Sequence, residues 1–249
     1  MCKPASFVLT KDNVFWSKTS DSHEDIISEH NLHPDGARGA NVVRIEITPP
    51  NDDYTLPIGQ WVYKLDQDDT PKWYSKESAI ERVMLSLPDW VASKIVLPNQ
   101  ERELIVDGDI VLAVYGTVNR VSGGTVNEVD GNGTVNRVSG GTVNWVYGGT
   151  VNWVSGGTVN WVDGGTVNRV DGGTVNWVDG GTVNRVDGGT VNRVDGGTVN
   201  RVSGGTVNWV YGNGTICAYK SLPDIKIDGK GVVIDRSGDT VIVRTCNDK

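Results

Sequence analysis

Residues 172–189 have the sequence GGTVNWVDGGTVNRVDGG, and this stretch decides the fold. It carries an eight-residue unit, Thr-Val-Asn-x-Val-z-Gly-Gly, whose fourth position changes from Trp to Arg between neighbouring copies. Thirteen threonines from Thr117 to Thr215 begin such units, eight residues apart except for two spacings of nine. Both longer spacings insert an asparagine between the glycines, Asn132 and Asn213. Because turns absorb an extra residue and strands do not, we predict a strand over TVNxV and a turn at Gly-Gly.

A unit of eight residues cannot bury a core alone, so the copies must stack. The residues at the fourth position fall into two groups when alternate units are taken together. One set is Arg120, Arg137, Trp153, Arg169, Arg185 and Arg201, and the other is Glu128, Trp145, Trp161, Trp177, Arg193 and Trp209. A β-solenoid with two strands per sixteen-residue coil would produce this sorting, as would an antiparallel meander with Gly-Gly hairpins. We favour the solenoid because a single-layer meander has no core.

The side chains that line the interior are less clearly marked. Since Trp, Arg and Glu interchange at the fourth position, that position faces outward. Strict alternation then places Thr, Asn and the second Val inside, where stacked asparagines could form an amide ladder. The alternative is a kink at Asn that turns both valines inward, and we favour strict alternation. Six coils at about 4.8 Å each would give a rod on the order of 30 Å long.

The flanking segments complete the predicted architecture. Residues 1–104 have the helix and strand patterns of an α+β domain, including an amphipathic helix from Ser75 that we expect Pro88 to interrupt. Residues 105–216 form the octapeptide-repeat β-solenoid. Residues 217–249 form a C-terminal β cap, with a hairpin around residues 237–239, that covers the open end of the rod. The predicted fold is therefore an α+β head, a β-solenoid with two eight-residue strands per coil, and a β cap.

Composition limits the function. The chain has 249 residues, a net charge of −8 and three widely spaced cysteines. We therefore expect no nucleic-acid partner, no disulfide framework and no cysteine-based zinc site. No signal peptide or membrane-spanning stretch is apparent, so we expect a cytoplasmic protein of the host cell or a virion-associated one, with no membrane partner. We predict no cofactor.

The repeats carry the candidate binding residues. Trp145, Trp161, Trp177 and Trp209 would stack along one face, and such a row could bind a polysaccharide or a protein or could simply stabilise itself. Arg169, Arg185 and Arg201 would repel one another at one-coil spacing, but Asp171 and Asp187 offer them partners. The regular threonines are similar to those of ice-binding solenoids, although alternation would point them inward.

Catalytic and metal motifs are weak. Cys2, followed by strand, turn and strand, is loosely similar to the start of N-terminal-nucleophile amidohydrolases, but the domain is half their usual size. His23 and His30 lie two helical turns apart, too far for one metal ion, and residues 66–69 (DQDD) lack the rest of a calcium loop. We predict no metal site and no established catalytic residue, with Cys2 as the one candidate.

The segments KDNVFWS, DSHEDII, VVRIEITPP and WVYKLDQDDTPKWYSKE, followed by octapeptide repeats, resemble uncharacterised proteins encoded by phages and prophages. The repeat is also similar to the Gly-Gly-Thr rungs of autotransporter β-helices, which are longer and secreted. The phage resemblance implies a small α+β head before a repeat rod and supplies no activity. We expect a non-enzymatic, phage-associated structural or binding protein. The alternative is an enzyme or effector whose head is active and whose solenoid is a stalk.

Overall fold

A computed structural model describes residues 4–36, 39–222 and 224–246. Cys2 therefore lies outside the described residues. The chain divides into two compact units, Met1–Ile95 and Val96–Lys249. The first is a small α+β unit and the second is a β-solenoid, as the sequence predicted.

The N-terminal unit is built on a four-stranded antiparallel sheet of order β2-β1-β5-β6. Its elements are β1 (Ala5–Leu9), β2 (Val14–Phe15), α1 (His23–Glu29), β3 (Asp35–Gly36), β4 (Gly39–Ala40), β5 (Val43–Thr48), two 3₁₀ turns (Pro50–Asp52 and Ile58–Gln60), β6 (Val62–Leu65) and α2 (Lys76–Lys94). In β5, the apolar residues of VRIEIT are buried and the intervening polar residues are half-buried, as a strand with one face on a core requires.

Helix α2 runs without interruption through Pro88, so the predicted break there is wrong. Proline costs a helix one backbone hydrogen bond. Burial offsets this cost, because Leu87 and Trp90 beside the proline are completely buried. Ser75 caps the helix by accepting a hydrogen bond from the backbone N–H of Ser78.

The solenoid strands follow one another with short corners between them. They are β7 (Ile95–Val96), β8 (Glu101–Ile105), β9 (Ile110–Val114), β10 (Thr117–Val121), β11 (Thr125–Asp130), β12 (Thr134–Val138), β13 (Thr142–Tyr147), β14 (Thr150–Val154), β15 (Thr158–Asp163), β16 (Thr166–Val170), β17 (Thr174–Val178), β18 (Thr182–Val186), β19 (Thr190–Asp195), β20 (Thr198–Val202), β21 (Thr206–Tyr211), β22 (Thr215–Ala218), β23 (Lys226–Ile227), β24 (Val232–Asp235) and β25 (Ile242–Arg244).

These strands form two sheets, each made from alternate strands. We call the sheet of even-numbered strands from β8 to β24 the arginine sheet, and that of odd-numbered strands from β7 to β23 the tryptophan sheet. The octapeptide strands pair in parallel and in register, so Thr158 lies beside Thr174 and Trp161 beside Trp177. Residues sixteen apart are thus lateral neighbours, and the solenoid is confirmed over the meander. Within the described residues, each sheet has nine strands that continue these parallel ladders, so the ladders extend beyond the predicted six coils at both ends.

The interior is lined by both valines of every unit. All of them have exposures of 0%, except Val207 at 2%, and they form one continuous core from Val96 to Val233. The predicted strict alternation is therefore wrong, because positions two and five of a strand would point to opposite faces. The alternation breaks between the two valines, as in the kinked alternative, and this change leaves Thr and Asn partly exposed.

The glycine corners are of two kinds. At the corner after β17, Gly180 has a φ of +81°. At the corner after β16, neither Gly172 nor Gly173 has a positive φ, but a Cβ on Gly173 would lie 2.4 Å from the carbonyl oxygen of Gly157. Glycine is needed at the first kind for its backbone conformation and at the second for close coil-to-coil approach. Both inserted asparagines fall in corners that follow tryptophan-sheet strands.

At the C-terminal end, the coil continues through β22, β23 and β24. Strand β25 then adds antiparallel to β24 and closes the predicted hairpin around residues 237–239. The arginine sheet consequently ends on an antiparallel strand, whose Ile242 and Val243 are 54% and 55% exposed.

Candidate functional site

The predicted tryptophan row exists and is stacked on itself. The rings of Trp145 and Trp161 lie 4.5 Å apart at 11°, and those of Trp161 and Trp177 lie 5.6 Å apart at 19°. Tyr147 stacks on Trp145 with ring centroids 5.3 Å apart. Since Trp161 has a neighbouring indole on each face, its ring faces are covered and its edge is what the surface presents.

Trp209 is separated from this row by an arginine. The guanidinium of Arg193 lies 4.7 Å from the ring centroid of Trp177 and 5.0 Å from that of Trp209. The same group pairs with Asp195 at 2.8 Å. Arginine thus continues the stack because its planar cation packs against aromatic faces. Arg193 belongs to this set by its fourth position in the unit but was not among the predicted site residues, and that position is the one sequence signal that marks it.

In the arginine sheet, a tryptophan takes the place of an arginine in the column of fourth-position side chains. Trp153 lies between two arginines, with the guanidinium carbons of Arg137 and Arg169 at 4.3 Å and 5.7 Å from its ring centroid. Trp153 is half-buried and was also not among the predicted site residues. The variation at the fourth position therefore has a physical reason. Both side chains are planar, and either can pack on the other at one-coil spacing.

Where arginines follow one another, carboxylates separate their charges. Arg169 lies 3.1 Å from both Asp171 and Asp187, and Arg185 lies 2.6 Å from Asp187. The carboxylate of Asp187 accordingly raises the pKa of Arg185. Arg201 donates to the hydroxyl of Ser203 at 2.7 Å instead.

Two amide ladders run along the rod beside these columns. In the tryptophan sheet, each asparagine from Asn144 to Asn208 donates Nδ2–H to Oδ1 of the asparagine one coil earlier, at 2.7–3.0 Å. The arginine-sheet ladder runs from Asn136 to Asn200 in the same direction. At its N-terminal end, Asn119 donates to the carboxylates of Glu101 and Glu103 at 2.5 and 2.7 Å. The ladder is thus present but lies on the partly exposed side, not in the interior.

The tryptophan sheet has an acidic surface. Asp163 and Asp179 follow the stacked tryptophans, and both are exposed. The pKa of Tyr147 is raised by burial first and then by the negative charges of Asp163 and Glu128. This face therefore combines aromatic edges with carboxylates.

The predicted histidine and acidic groups of the N-terminal unit have structural partners. His23 is buried, with Nε2 3.1 Å from the carbonyl oxygen of Ile45 and Nδ1 3.3 Å from the carboxylate of Asp66. His30 faces the carbonyl oxygen of Trp16 at 3.2 Å. Within residues 4–36, 39–222 and 224–246, no three or more His, Cys, Asp or Glu side chains converge as metal ligands.

A buried lysine also organises this unit. Lys94 is completely buried and donates to the carbonyl oxygen of Lys18 at 2.8 Å, while Asp21 lies 3.9 Å from its ammonium group. Burial raises the pKa of Asp21, and the charge of Lys94 partly opposes this shift.

A shallow cleft of about 230 Å³ lies on the same unit; its lining residues are Lys11, Trp73, Ser75, Ser78, Ala79 and Arg82. No carboxylate, histidine or cysteine is among them. Neither helix within the described part of the chain has the length and apolar character needed to cross a bilayer.

Comparison with protein-family models, with curated proteins and with solved structures found no match for this chain.

Proposed function

We propose that this is a non-enzymatic, phage-associated structural or binding protein whose repeat rod acts as a spacer and an interaction surface. The observation that carries the proposal is the two-faced solenoid: in-register strands, one valine core and uninterrupted columns of outward side chains on both sheets. A rod whose coils contact only their neighbours can vary in length without loss of its fold, which suits a spacer. The phage association rests on the sequence resemblance alone.

The ring stacking favours a protein partner over a polysaccharide. Sugar rings usually pack on an open aromatic face, but Trp161 and Trp177 each have both faces covered by neighbouring side chains. Their exposed edges suit hydrogen-bond acceptors, and the adjacent carboxylates suit hydrogen-bond donors and cationic groups. We place the protein in the host cytoplasm or on the virion, where such a partner would be met.

The test is affinity capture with the full chain from phage-induced and uninduced cells, followed by analysis of purified virions for this chain. Two matched variants serve as baits: Asp163→Asn with Asp179→Asn on the tryptophan sheet, and Arg236→Gln with Asp239→Asn at the C-terminal turn. A partner or virion signal that depends on the first pair and not on the second supports the proposal. Absence from virions, together with no capture that depends on either face of the rod, contradicts it.

The enzymatic alternative is tested separately through Cys2. A mass measurement of the mature N-terminus shows whether Met1 is removed, and Cys2→Ala tests the thiol. Removal of Met1 together with loss of a cellular phenotype in the variant would favour the enzyme over the rod.

A further inference from the structure

The two outer faces of the octapeptide region carry opposite charge. On the arginine sheet, the fourth and sixth positions hold five arginines and two aspartates, a net charge of +3. On the tryptophan sheet, the same positions hold five carboxylates and one arginine, a net charge of −4. The overall charge of −8 conceals this division. The rod therefore has one cationic face and one anionic, aromatic face.

Some charged groups on each face have no ion pair within the described residues. Arg120 and Arg201 are exposed, and each donates to a serine hydroxyl, that of Ser139 and Ser203 respectively. On the opposite face, the exposed Asp163 and Asp179 form no ion pair among those residues. Each face thus retains the charge that the other could neutralise.

The chain itself shows the contact that would form between such faces. Arg193 packs between two aromatic side chains and pairs with Asp195, all on the tryptophan sheet. Asp163 and Asp179, which follow Trp161 and Trp177 on the same face, form no such pair within the described residues. An arginine from another molecule would pair with these carboxylates as Arg193 pairs with Asp195.

The spacing of the side chains on one face also matches that on the other, because both faces belong to one rod and repeat at about 4.8 Å per coil. The six octapeptide strands of each sheet, of about five residues each, give a charged face of roughly 24 by 16 Å, or about 400 Å² per partner. Two such faces would bury about 800 Å², which is the size of a weak and transient interface. We therefore expect association that depends on concentration.

We propose that the arginine sheet of one copy docks on the tryptophan sheet of a second copy of this chain. This inference rests on the proposed function, since it names the partner of the same interaction surface. The contact is heterologous, so each added copy exposes a further free face and the assembly is open-ended. Salt weakens it, because the attraction is between exposed charges.

Sedimentation velocity of the full chain over a concentration series tests the inference. The runs use about 20 mM and about 300 mM salt, where the Debye length is roughly 20 Å and roughly 6 Å. We expect the average mass to rise beyond that of a dimer at low salt and to fall to that of a monomer at high salt.

Two face variants separate this contact from other kinds of self-association. Arg120→Gln with Arg201→Gln changes only the arginine face, and Asp163→Asn with Asp179→Asn changes only the tryptophan face. Each variant alone should associate about tenfold more weakly than the native chain. An equimolar mixture has one intact face of each kind, so it should form 1:1 dimers that do not extend.

Arg236→Gln with Asp239→Asn alters two exposed charges at the C-terminal turn and should associate like the native chain. Circular dichroism and the melting temperature show whether each variant keeps the fold. If a face variant does not fold, the salt series on the native chain and the single substitutions at the same positions test the inference instead. A native chain that stays monomeric at low salt, or oligomers insensitive to salt and to both face variants, would overturn the inference. A monomeric chain that still captures a phage protein through either face would leave the proposed function standing.

Discussion

Replacing glycine by alanine should have different costs at the two kinds of corner. At Gly173, the new Cβ would lie 2.4 Å from the carbonyl oxygen of Gly157 and 2.5 Å from Cγ1 of Val154. Both neighbours belong to the previous coil, so the two coils would have to separate by nearly 1 Å. Overpacking of this kind lowers the free energy of unfolding by about 1–3 kcal/mol. Because the backbone neighbours cannot rotate away, we expect Gly173→Ala to lower it by about 3 kcal/mol.

At Gly180, space is not the limiting factor. A Cβ there would meet its nearest neighbour, Oδ1 of Asp163, at 3.5 Å, but the φ of +81° is unfavourable for residues with a side chain. Gly180→Ala should therefore cost about 1–2 kcal/mol. Gly180→Asn should cost less, because asparagine tolerates the left-handed region better than alanine does.

Urea unfolding followed by tryptophan fluorescence and circular dichroism would measure these differences. We expect the order of stability to be native, Gly180→Asn, Gly180→Ala, Gly173→Ala. One kcal/mol corresponds to a melting shift of about 2–4 °C for a chain of this size. A Gly173→Ala chain that melts like the native chain, or a Gly180→Asn chain as destabilised as Gly173→Ala, would contradict this difference between the two corners.

Three further changes probe the ladders, the coil and the corners. Asn160→Ala leaves one amide donor and one acceptor of the ladder without their partner, and urea unfolding should show a loss of about 2 kcal/mol. Deleting residues 166–181 removes one coil and keeps both columns in register, whereas deleting 166–173 exchanges the faces beyond the deletion; thermal melts and size-exclusion chromatography should show the shorter deletion to be the more damaging. Inserting an asparagine after Gly180 reproduces the natural corner at Asn132 and should be tolerated, whereas the same insertion after Gly172 should lower the melting temperature by several degrees.

The sequence predicted the solenoid because its variable position has a sixteen-residue period and because a single-layer meander, which would give the same period, has no core. The in-register pairing of Trp161 with Trp177 confirms this prediction. The sequence of the coils outside the repeats has no sixteen-residue period. The strand Glu101–Ile105 pairs with β10 although it lacks the Thr-Val-Asn pattern, because parallel pairing requires backbone and a buried face, not a motif.

The interior was mispredicted because alternation was assumed to hold across Asn. Each asparagine instead joins a side-chain ladder, and the break in alternation brings Val175 and Val178 of one strand into the same core. Burial of a second valine per strand outweighs regular pleating, since each buried valine contributes about 1.5 kcal/mol or more. The predicted helix break at Pro88 was wrong for the same reason, because tertiary packing determines the course of α2.

The columns of fourth-position side chains were predictable from the sequence only in part. Stacking of tryptophans follows from one-coil spacing, but the Arg–Trp exchange at Trp153 and Arg193 appears as an irregularity in the sequence. Only the geometry shows that a guanidinium continues the stack there.

Disulfide trapping tests the two-strand coil most directly. In a chain with Cys2, Cys217 and Cys246 replaced by serine, Thr158→Cys with Thr174→Cys places two thiols on paired residues of neighbouring coils, within reach of a disulfide. Thr166→Cys with Thr174→Cys places them eight residues apart on different sheets. Oxidation followed by mass spectrometry of the digested monomer should show an intramolecular disulfide in the first pair and none in the second. A disulfide in the second pair and none in the first would contradict the solenoid.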